Sequence, residues 1–261
     1  MNVFRTYILI NILLSFSLFS YSNAEEAQNK KINPNKNSVK NNGRIGLGFG
    51  ANYFINTQSG TLLYSKNAGF GSLVSVLDLT WSLNSKKVKT TYKVNPGQYS
   101  SNQKEISGTK NYSWKFFELN YAHPMYYFNI VETKIKLMGL VGYEFHQFPI
   151  LYAPTSTTFL SESEKLQTAV IGLGVDGRLS SKLLFETHFK YLLPMTASYT
   201  ATSKFFIGGD IELLYIYNSK FYLSTLWSGS WLNQKYKLKN LNSGEQTLFY
   251  SALTFGIGIL F

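Results

Sequence analysis

Large apolar residues alternate with small or polar ones through most of the sequence, and the alternation is clearest over residues 247–261. One parity there is almost wholly large and apolar, and the other carries mostly small or polar residues. The large set includes Phe249, Leu253, Phe255, Ile257, Ile259 and Phe261, and the other set includes Tyr250, Ala252, Thr254, Gly256 and Gly258. A period of two predicts a β-strand with one face for hydrocarbon and one for small or polar neighbours.

The same alternation predicts nine earlier strands, so that about ten strands are expected in all. They are expected near residues 44–55, 70–83, 86–94, 111–121, 132–148, 166–178, 183–193, 205–217 and from 220 onward. Short turns are expected at 84–85, 180–181 and 218–219. Long polar loops are expected at the other end, in or beside Pro96, Pro149, Pro154 and Pro194. The alternation is weakest between residues 84 and 131, where His123 and Pro124 are expected to end the fourth strand.

Charged residues share the parity of the glycines and serines, opposite the large apolar set. They are Glu144, His146, Asp176, Arg178, Glu186, His188, Lys190, Asp210 and Glu212. If the apolar parity faced outward in a water-soluble protein, these charged side chains would have to lie in its core. Burying charged groups is costly unless they are paired. The pattern therefore predicts an all-β fold, a transmembrane antiparallel up-and-down β-barrel over residues 44–261. The alternative is a soluble barrel or sandwich with the large residues inside.

The terminal strand resembles that of bacterial outer-membrane β-barrel proteins of the small-barrel type, with no specific family indicated. The features that carry the resemblance are the apolar parity containing Phe255 and the terminal aromatic residue Phe261. The resemblance implies that these residues form an assembly signal for the barrel assembly machinery. It also implies insertion in the bacterial outer membrane, contact with outer-membrane lipid and lipopolysaccharide, long surface-exposed loops and short periplasmic turns.

The first residues predict export. Arg5 precedes an apolar run over residues 7–19, and residues 22–24 supply small side chains for cleavage, so residues 1–24 are expected to be a signal peptide. An N-terminal membrane anchor is the alternative, but the run is shorter than the ~20 apolar residues of a spanning helix. Residues 25–43 are rich in Asn and Lys with little to bury, which predicts a disordered periplasmic tail.

The chain is basic, with 25 Lys and Arg against 14 Asp and Glu. An exported chain rarely meets nucleic acid, so anionic lipid or lipopolysaccharide phosphate is the expected counter-charge. Candidate polyanion contacts are Lys104, Lys110, Lys235, Lys237 and Lys239. The alternative for these lysines is a solvated hairpin edge.

Three functions remain open on sequence grounds. The first is a non-enzymatic surface barrel whose lumen is filled by paired charges and whose loops contact lipopolysaccharide, cells or host molecules. The second is a narrow, porin-like channel for small solutes. The third is an enzyme at the outer rim that uses Glu144 and His146. No cofactor or metal is expected, because the chain has no Cys and three scattered His.

Overall fold

The computed structural model describes residues 43–60, 64–83, 86–101, 109–130, 133–152, 160–197, 202–237 and 243–261. These residues form ten strands, as the alternation predicts. The strands are β1 (Gly43–Gly60), β2 (Tyr64–Leu83), β3 (Lys86–Ser101), β4 (Thr109–Ile130), β5 (Thr133–Tyr152), β6 (Leu160–Arg178), β7 (Leu183–Ala197), β8 (Thr202–Ile216), β9 (Phe221–Lys237) and β10 (Ser243–Leu260). The described residues contain no helix that could cross a membrane.

The strands close into a single antiparallel barrel in which each strand pairs with its neighbours in sequence and β1 pairs with β10. The closing pair runs from Arg44↔Leu260 to Gly60↔Gly244. Two backbone hydrogen bonds extend it, from Gly43 N to Phe261 O at 2.9 Å and from Phe261 N to Gly43 O at 3.0 Å. Closure leaves no sheet edge along the wall, and it confirms the predicted fold class.

The two faces of the wall differ as the alternation predicts. The apolar parity of β10 points outward, so that Phe255 is 62% exposed and Phe261 is 50% exposed. Charged residues such as Asp210 and Glu212 are buried inside the barrel. The alternative of a soluble barrel with the large residues inside is therefore wrong.

The apolar exterior is a band that stops well below one end of the barrel. We call the end with Gly43, Phe261 and the connections after β2, β4, β6 and β8 the turn end, and the opposite end the loop end. Toward the loop end, outward positions become polar, and neighbouring polar groups pair, as in the 2.8 Å hydrogen bond from Gln147 to Ser163 and the 3.1 Å bond from Asn233 to Thr247. Strands of 15 to 22 residues exceed the ~9–11 that cross a bilayer.

The sequence predicted strands that were too short at the loop end. Much of the predicted loops is strand, and Pro96, Pro149 and Pro194 pair within the sheet opposite Ser113, Ser163 and Thr168. Backbone ladders do not depend on apolar side chains, so pairing continues where the alternation fades. Pro194 is accommodated beside a register shift in β6, where a missing backbone donor is tolerated. Pro154 lies outside the described residues.

Strand β4 also runs further than predicted. It passes His123 and Pro124 through a bulge between Pro124 and Tyr126 and ends at Ile130. The bulge adds Met125 to β4 without a partner residue in β5, and it shifts by one position the parity of the residues that face outward. Pairing continues after the bulge, so Pro124 does not end the strand.

Candidate functional site

The lumen near the turn end holds a network of buried ion pairs that joins distant strands. Arg44 of β1 reaches across to β7 and β8, where Nη2 lies 3.1 Å from Glu186 and 2.8 Å from Glu212. A second guanidinium hydrogen bond, from Nη1 to Glu186 at 3.1 Å, makes the contact with Glu186 bidentate. Planar bidentate pairing is the geometry that arginine provides and lysine cannot.

Two lysines of β3 extend the network. Lys87 Nζ lies 2.6 Å from Asp176 and 2.7 Å from Glu186. Lys89 Nζ lies 2.9 Å from Glu212 and 3.5 Å from Asp78. Because every carboxylate in this part of the lumen faces at least one cation, the desolvated charges are paired as burial requires.

Lys190 of β7 joins three carboxylates in the part of the network toward the loop end. Its ammonium lies 2.5 Å from Glu118 of β4, 2.9 Å from Asp210 of β8 and 3.3 Å from Glu144 of β5. Asn120 also donates to Glu118. One side chain of β7 therefore ties together β4, β5 and β8, of which β4 and β5 are not its neighbours in the sheet. We use "ionic network" for Arg44, Asp78, Lys87, Lys89, Glu118, Glu144, Asp176, Glu186, His188, Lys190, Asp210 and Glu212.

Asp176, Glu186 and His188 bring three possible metal-ligating atoms within 4.8 Å of one another. The ammonium of Lys87 contacts both carboxylates of this group. His188 Nδ1 is engaged by Asp210 at 2.6 Å. The ammonium of Lys87 thus stands where a metal ion would lie between the two carboxylates.

Glu144 and His146 form a direct pair, with Glu144 Oε2 2.8 Å from His146 Nε2. The pair resembles a general-base arrangement, but the imidazole side chain is 1% exposed. The rings of Phe116 and Phe206 pack against it at centroid distances of 4.7 Å and 4.9 Å. Among the described residues the pair is therefore enclosed by aromatic rings, and it lies several residues before the loop end of β5 at Tyr152.

An aromatic layer fills the lumen on the loop-end side of the ionic network. It consists of Trp114, Phe116, Phe148, Phe206 and Tyr250. The ring centroid of Trp114 lies 5.0 Å from that of Phe116, 5.7 Å from Phe148 and 4.6 Å from Tyr250. Trp114 belongs to β4 and Tyr250 to β10, which are not neighbours in the sheet, so the rings bridge the lumen.

A polar cap lies beyond the aromatic layer, at a level where the barrel exterior is already polar. Gln234 Nε2 donates to Glu164 Oε2 and to Gln246 Oε1, both at 2.8 Å. All three side chains are fully buried. Burial raises the pKa of the Glu164 carboxyl to about 7, while the hydrogen bond from Gln234 opposes the shift.

Two small cavities adjoin the ionic network. One of about 40 Å³ lies under the aromatic layer among Lys93, Glu118, His146, Lys190 and Tyr250. The other, of about 10 Å³, lies among Lys87, Lys89, Asn120, Glu186 and His188. Volumes of this size hold one or a few water molecules and no organic solute.

Most of the charged residues that the sequence placed inside the barrel are inside and in contact with one another. Arg178 is not among them. It is exposed at the end of β6 and donates to the backbone oxygen of Ser181 at 3.2 Å. The alternation was extended one step too far, because β6 ends at Arg178 and the chain turns there.

The cations that face these carboxylates are not among the lumen residues predicted from the sequence. Arg44 lies at the start of the predicted strand 44–55, and Lys87, Lys89 and Lys93 lie in the predicted strand 86–94, with no role predicted for them. Their signal was present, since the three lysines share one parity opposite Val88 and Tyr92, which are exposed.

The predicted polyanion contacts are only partly visible. Lys235 is exposed at the loop end, with its ammonium 3.7 Å from Glu245. Lys104 and Lys239 lie outside the described residues, and the side chains of Lys110 and Lys237 are not described either.

The comparisons with known proteins find structures but no sequence relatives. No protein-family model matches the sequence, and no curated protein matches it. The translocator domain of the autotransporter NalP from Neisseria meningitidis is 11% identical, covers 96% of this chain and 99% of its own, and has a TM-score of 0.38. An outer-membrane channel from Pseudomonas putida F1 is 9% identical, with coverages of 88% and 100% and a TM-score of 0.35.

The P. putida toluene transporter TodX is 7% identical, with coverages of 84% and 90% and a TM-score of 0.31. These neighbours are bacterial outer-membrane β-barrels, the class that the terminal strand resembles. At such identities and TM-scores, neither a family nor a transported substrate follows for this chain.

Proposed function

We propose that this protein is a closed, non-conducting outer-membrane β-barrel, exported through residues 1–24, that acts through its surface and not through its lumen. The observation that supports the proposal is the stacking of three sealing layers inside the barrel. The ionic network, the aromatic layer and the polar cap follow one another from the turn end to the loop end. An ion crossing the lumen would have to break several buried pairs and separate packed rings.

The surface available for contacts lies at the loop end. The strands rise beyond the apolar band there, and exposed polar side chains such as Lys165 and Lys235 cover the outer wall. In the proposed role, this extension and the connecting loops contact lipopolysaccharide or molecules on other cells. The terminal Phe261 serves the barrel assembly machinery.

A non-enzymatic role is supported by the burial of the Glu144–His146 pair. A His146→Ala variant is therefore expected to leave lipid A and surface proteins chemically unchanged when they are profiled by mass spectrometry. A defined mass difference in either fraction would reject the non-enzymatic role.

Planar-bilayer recording tests the closed lumen. Purified protein folded in lipid vesicles is expected to produce no conductance steps at a protein density at which a porin gives many. Insertion is verified on the same sample by heat modifiability on a gel, since folded membrane barrels migrate differently unboiled. Regular steps from inserted, unmodified protein would show a channel and reject the proposal.

A further inference from the structure

The turn end of the barrel is basic on every side. Each of the four connections at this end has a cation on it or beside it, namely Lys86 after β2, Lys134 after β4, Arg178 and Lys182 around the turn after β6, and Lys220 after β8. Lys134, Arg178, Lys182 and Lys220 are exposed, and Lys86 is half-buried. We call these five residues the basic rim.

No acidic side chain balances the basic rim within the described residues. The carboxylates nearest to this end, Asp78, Asp176, Glu186 and Glu212, are all buried in the ionic network. Each of them lies within 4 Å of Arg44, Lys87 or Lys89. No acidic side chain is described beside the rim cations, and Glu132 of the β4–β5 connection lies outside the described residues. At the loop end, in contrast, Lys235 has Glu245 beside it.

Exposed aromatic residues form a collar along the same edge of the apolar band. Trp81 and Phe261 lie side by side with centroids 5.7 Å apart, and Tyr126 and Phe128 do so at 4.7 Å. Tyr217 is 65% exposed and Phe221 is 44% exposed beside Lys220. Aromatic residues of this kind mark the level where hydrocarbon gives way to headgroups.

The β4–β5 hairpin carries the collar beyond the end of the neighbouring strand β3. Pairing between β3 and β4 stops at Lys87↔Ala122, whereas pairing between β4 and β5 continues to Ile130↔Thr133. Met125, Tyr126, Tyr127 and Phe128 are all more than 40% exposed on this extension. Its outward side chains are continuous with the apolar exterior, and Lys134 lies near its tip.

We propose that the basic rim and its aromatic collar bind the headgroups of anionic phospholipids in the leaflet that faces the turn end. The inference rests on the proposed membrane-spanning role. Rings placed at the hydrocarbon edge, with cations just beyond them, match the level of lipid phosphates. The cations are spread over all four connections and do not converge on one patch, a distribution that fits a ring of lipid headgroups better than a single compact protein partner.

Annular lipid selectivity tests this proposal. The protein is folded in phosphatidylcholine bilayers, and the association of spin-labelled phosphatidylglycerol is compared with that of spin-labelled phosphatidylcholine by electron paramagnetic resonance. A cation near an anionic surface favours it by about fivefold, so a clear preference for phosphatidylglycerol is expected at low salt. The preference is expected to vanish near 1 M salt, where the screening length is only about 3 Å.

Two variants with the same change in charge locate the effect. The rim variant Lys134→Gln, Lys182→Gln and Lys220→Gln is expected to lose roughly half or more of the preference. The matched variant Lys115→Gln, Lys165→Gln and Lys235→Gln removes three lysines toward the loop end and is expected to keep it. Equal loss in both variants, or no loss in the rim variant, would overturn the proposal.

The outcomes also separate this inference from the proposed function. Protein that fails to insert into any bilayer would reject the membrane-spanning role itself. Protein that inserts without lipid preference would reject only the lipid-binding rim. If inserted protein lacks the preference but cosediments with peptidoglycan, and the rim variant does not, then the rim binds a cell-wall polyanion and the lipid proposal is wrong.

Discussion

Several buried charges in the lumen are held by partners from strands that are far apart in sequence. Arg44 illustrates the consequence, because it lies within 4 Å of Asp78, Glu186 and Glu212 on three different strands. Removing such a residue leaves several carboxylates desolvated with fewer cations, and breaking a buried pair by deleting one partner typically costs 3–5 kcal/mol.

We therefore expect Arg44→Met to lower the free energy of unfolding by about 3 kcal/mol or more, measured by urea titration in lipid vesicles. The matched variant Lys182→Met removes an exposed cation from the β6–β7 turn and is expected to change it by at most about 0.5 kcal/mol. Adding Glu212→Gln to Arg44→Met is expected to recover part of the loss. A double variant less stable than Arg44→Met would contradict the pairing.

Because of Glu164, we expect the stability of the folded protein to fall as pH rises. A salt-bridged carboxylate would have the opposite effect. The pKa of Glu164 is raised from an ordinary value near 4.5 to about 7 in the folded protein. Below the ordinary value it is protonated in both the folded and unfolded states. Between the two values only the unfolded state ionises freely, so stability falls as pH rises from about 4.5 to about 7 and then levels off.

The variant Glu164→Gln keeps the shape of the protonated acid and is expected to remove this loss. It should gain stability over the unmodified protein at pH 8, on the order of 2 kcal/mol, and gain almost nothing at pH 4. Thermal unfolding followed by gel mobility at both pH values measures the difference. Glu245→Gln, a half-exposed carboxylate at the same end, is the control. An equal gain for Glu164→Gln at both pH values would show that ionisation is not the cause.

At the level of elements, β1 closes the barrel through backbone contacts that leave no room for some side chains. A Cβ at Gly50 would overlap the carbonyl oxygen of Leu253 in β10, beside the register shift in the β1–β2 pair. A Cβ at Gly48, on the same strand and the same face, would meet no atom closer than 3.4 Å.

The two glycines therefore form a matched pair for mutation. Gly50→Ala is expected to displace β1 from β10 and to lower the fraction of protein that folds, on the order of 2 kcal/mol in stability. Gly48→Ala is expected to fold as the unmodified protein does. The folded fraction is read from unboiled gels after refolding in lipid vesicles. Similar yields for both variants would show that the closing strands adjust to a methyl group.

The sequence predicted strand number and facing well because side-chain parity is fixed by strand geometry. It failed where parity does not carry the information. The bulge after Pro124 in β4 changes parity by one position without a sequence signal other than the proline itself. In β3, parity alone could have placed Lys87, Lys89 and Lys93 inside. Nothing local could show that Lys87 would meet Asp176 and Glu186 across the barrel, because those contacts depend on closure.

At the level of the whole molecule, the lumen is closed by layers of different chemistry. The aromatic layer blocks passage by packing, whereas the ionic network blocks it by pairs that an ion would have to separate. Trp114 and Lys190 both contact residues of strands that are not their neighbours, Tyr250 of β10 and Glu118 of β4 respectively. The two seals are therefore expected to act independently.

Conductance of an aromatic-layer variant tests this independence. Trp114→Ala, Phe148→Ala and Tyr250→Ala together remove three of the five rings of the aromatic layer but leave the contacts of Lys190 with Glu118, Glu144 and Asp210. The triple variant is expected to be less stable, since truncating a buried aromatic residue costs about 3–5 kcal/mol, yet to remain silent in planar bilayers. If the triple variant does not fold, Trp114→Ala alone gives the same comparison. The control truncates three outward aromatics, Phe189, Tyr191 and Trp227, and is also expected to be silent. Regular conductance steps in the aromatic-layer variant alone would show that the removed rings are needed for the seal and that the ionic network admits ions.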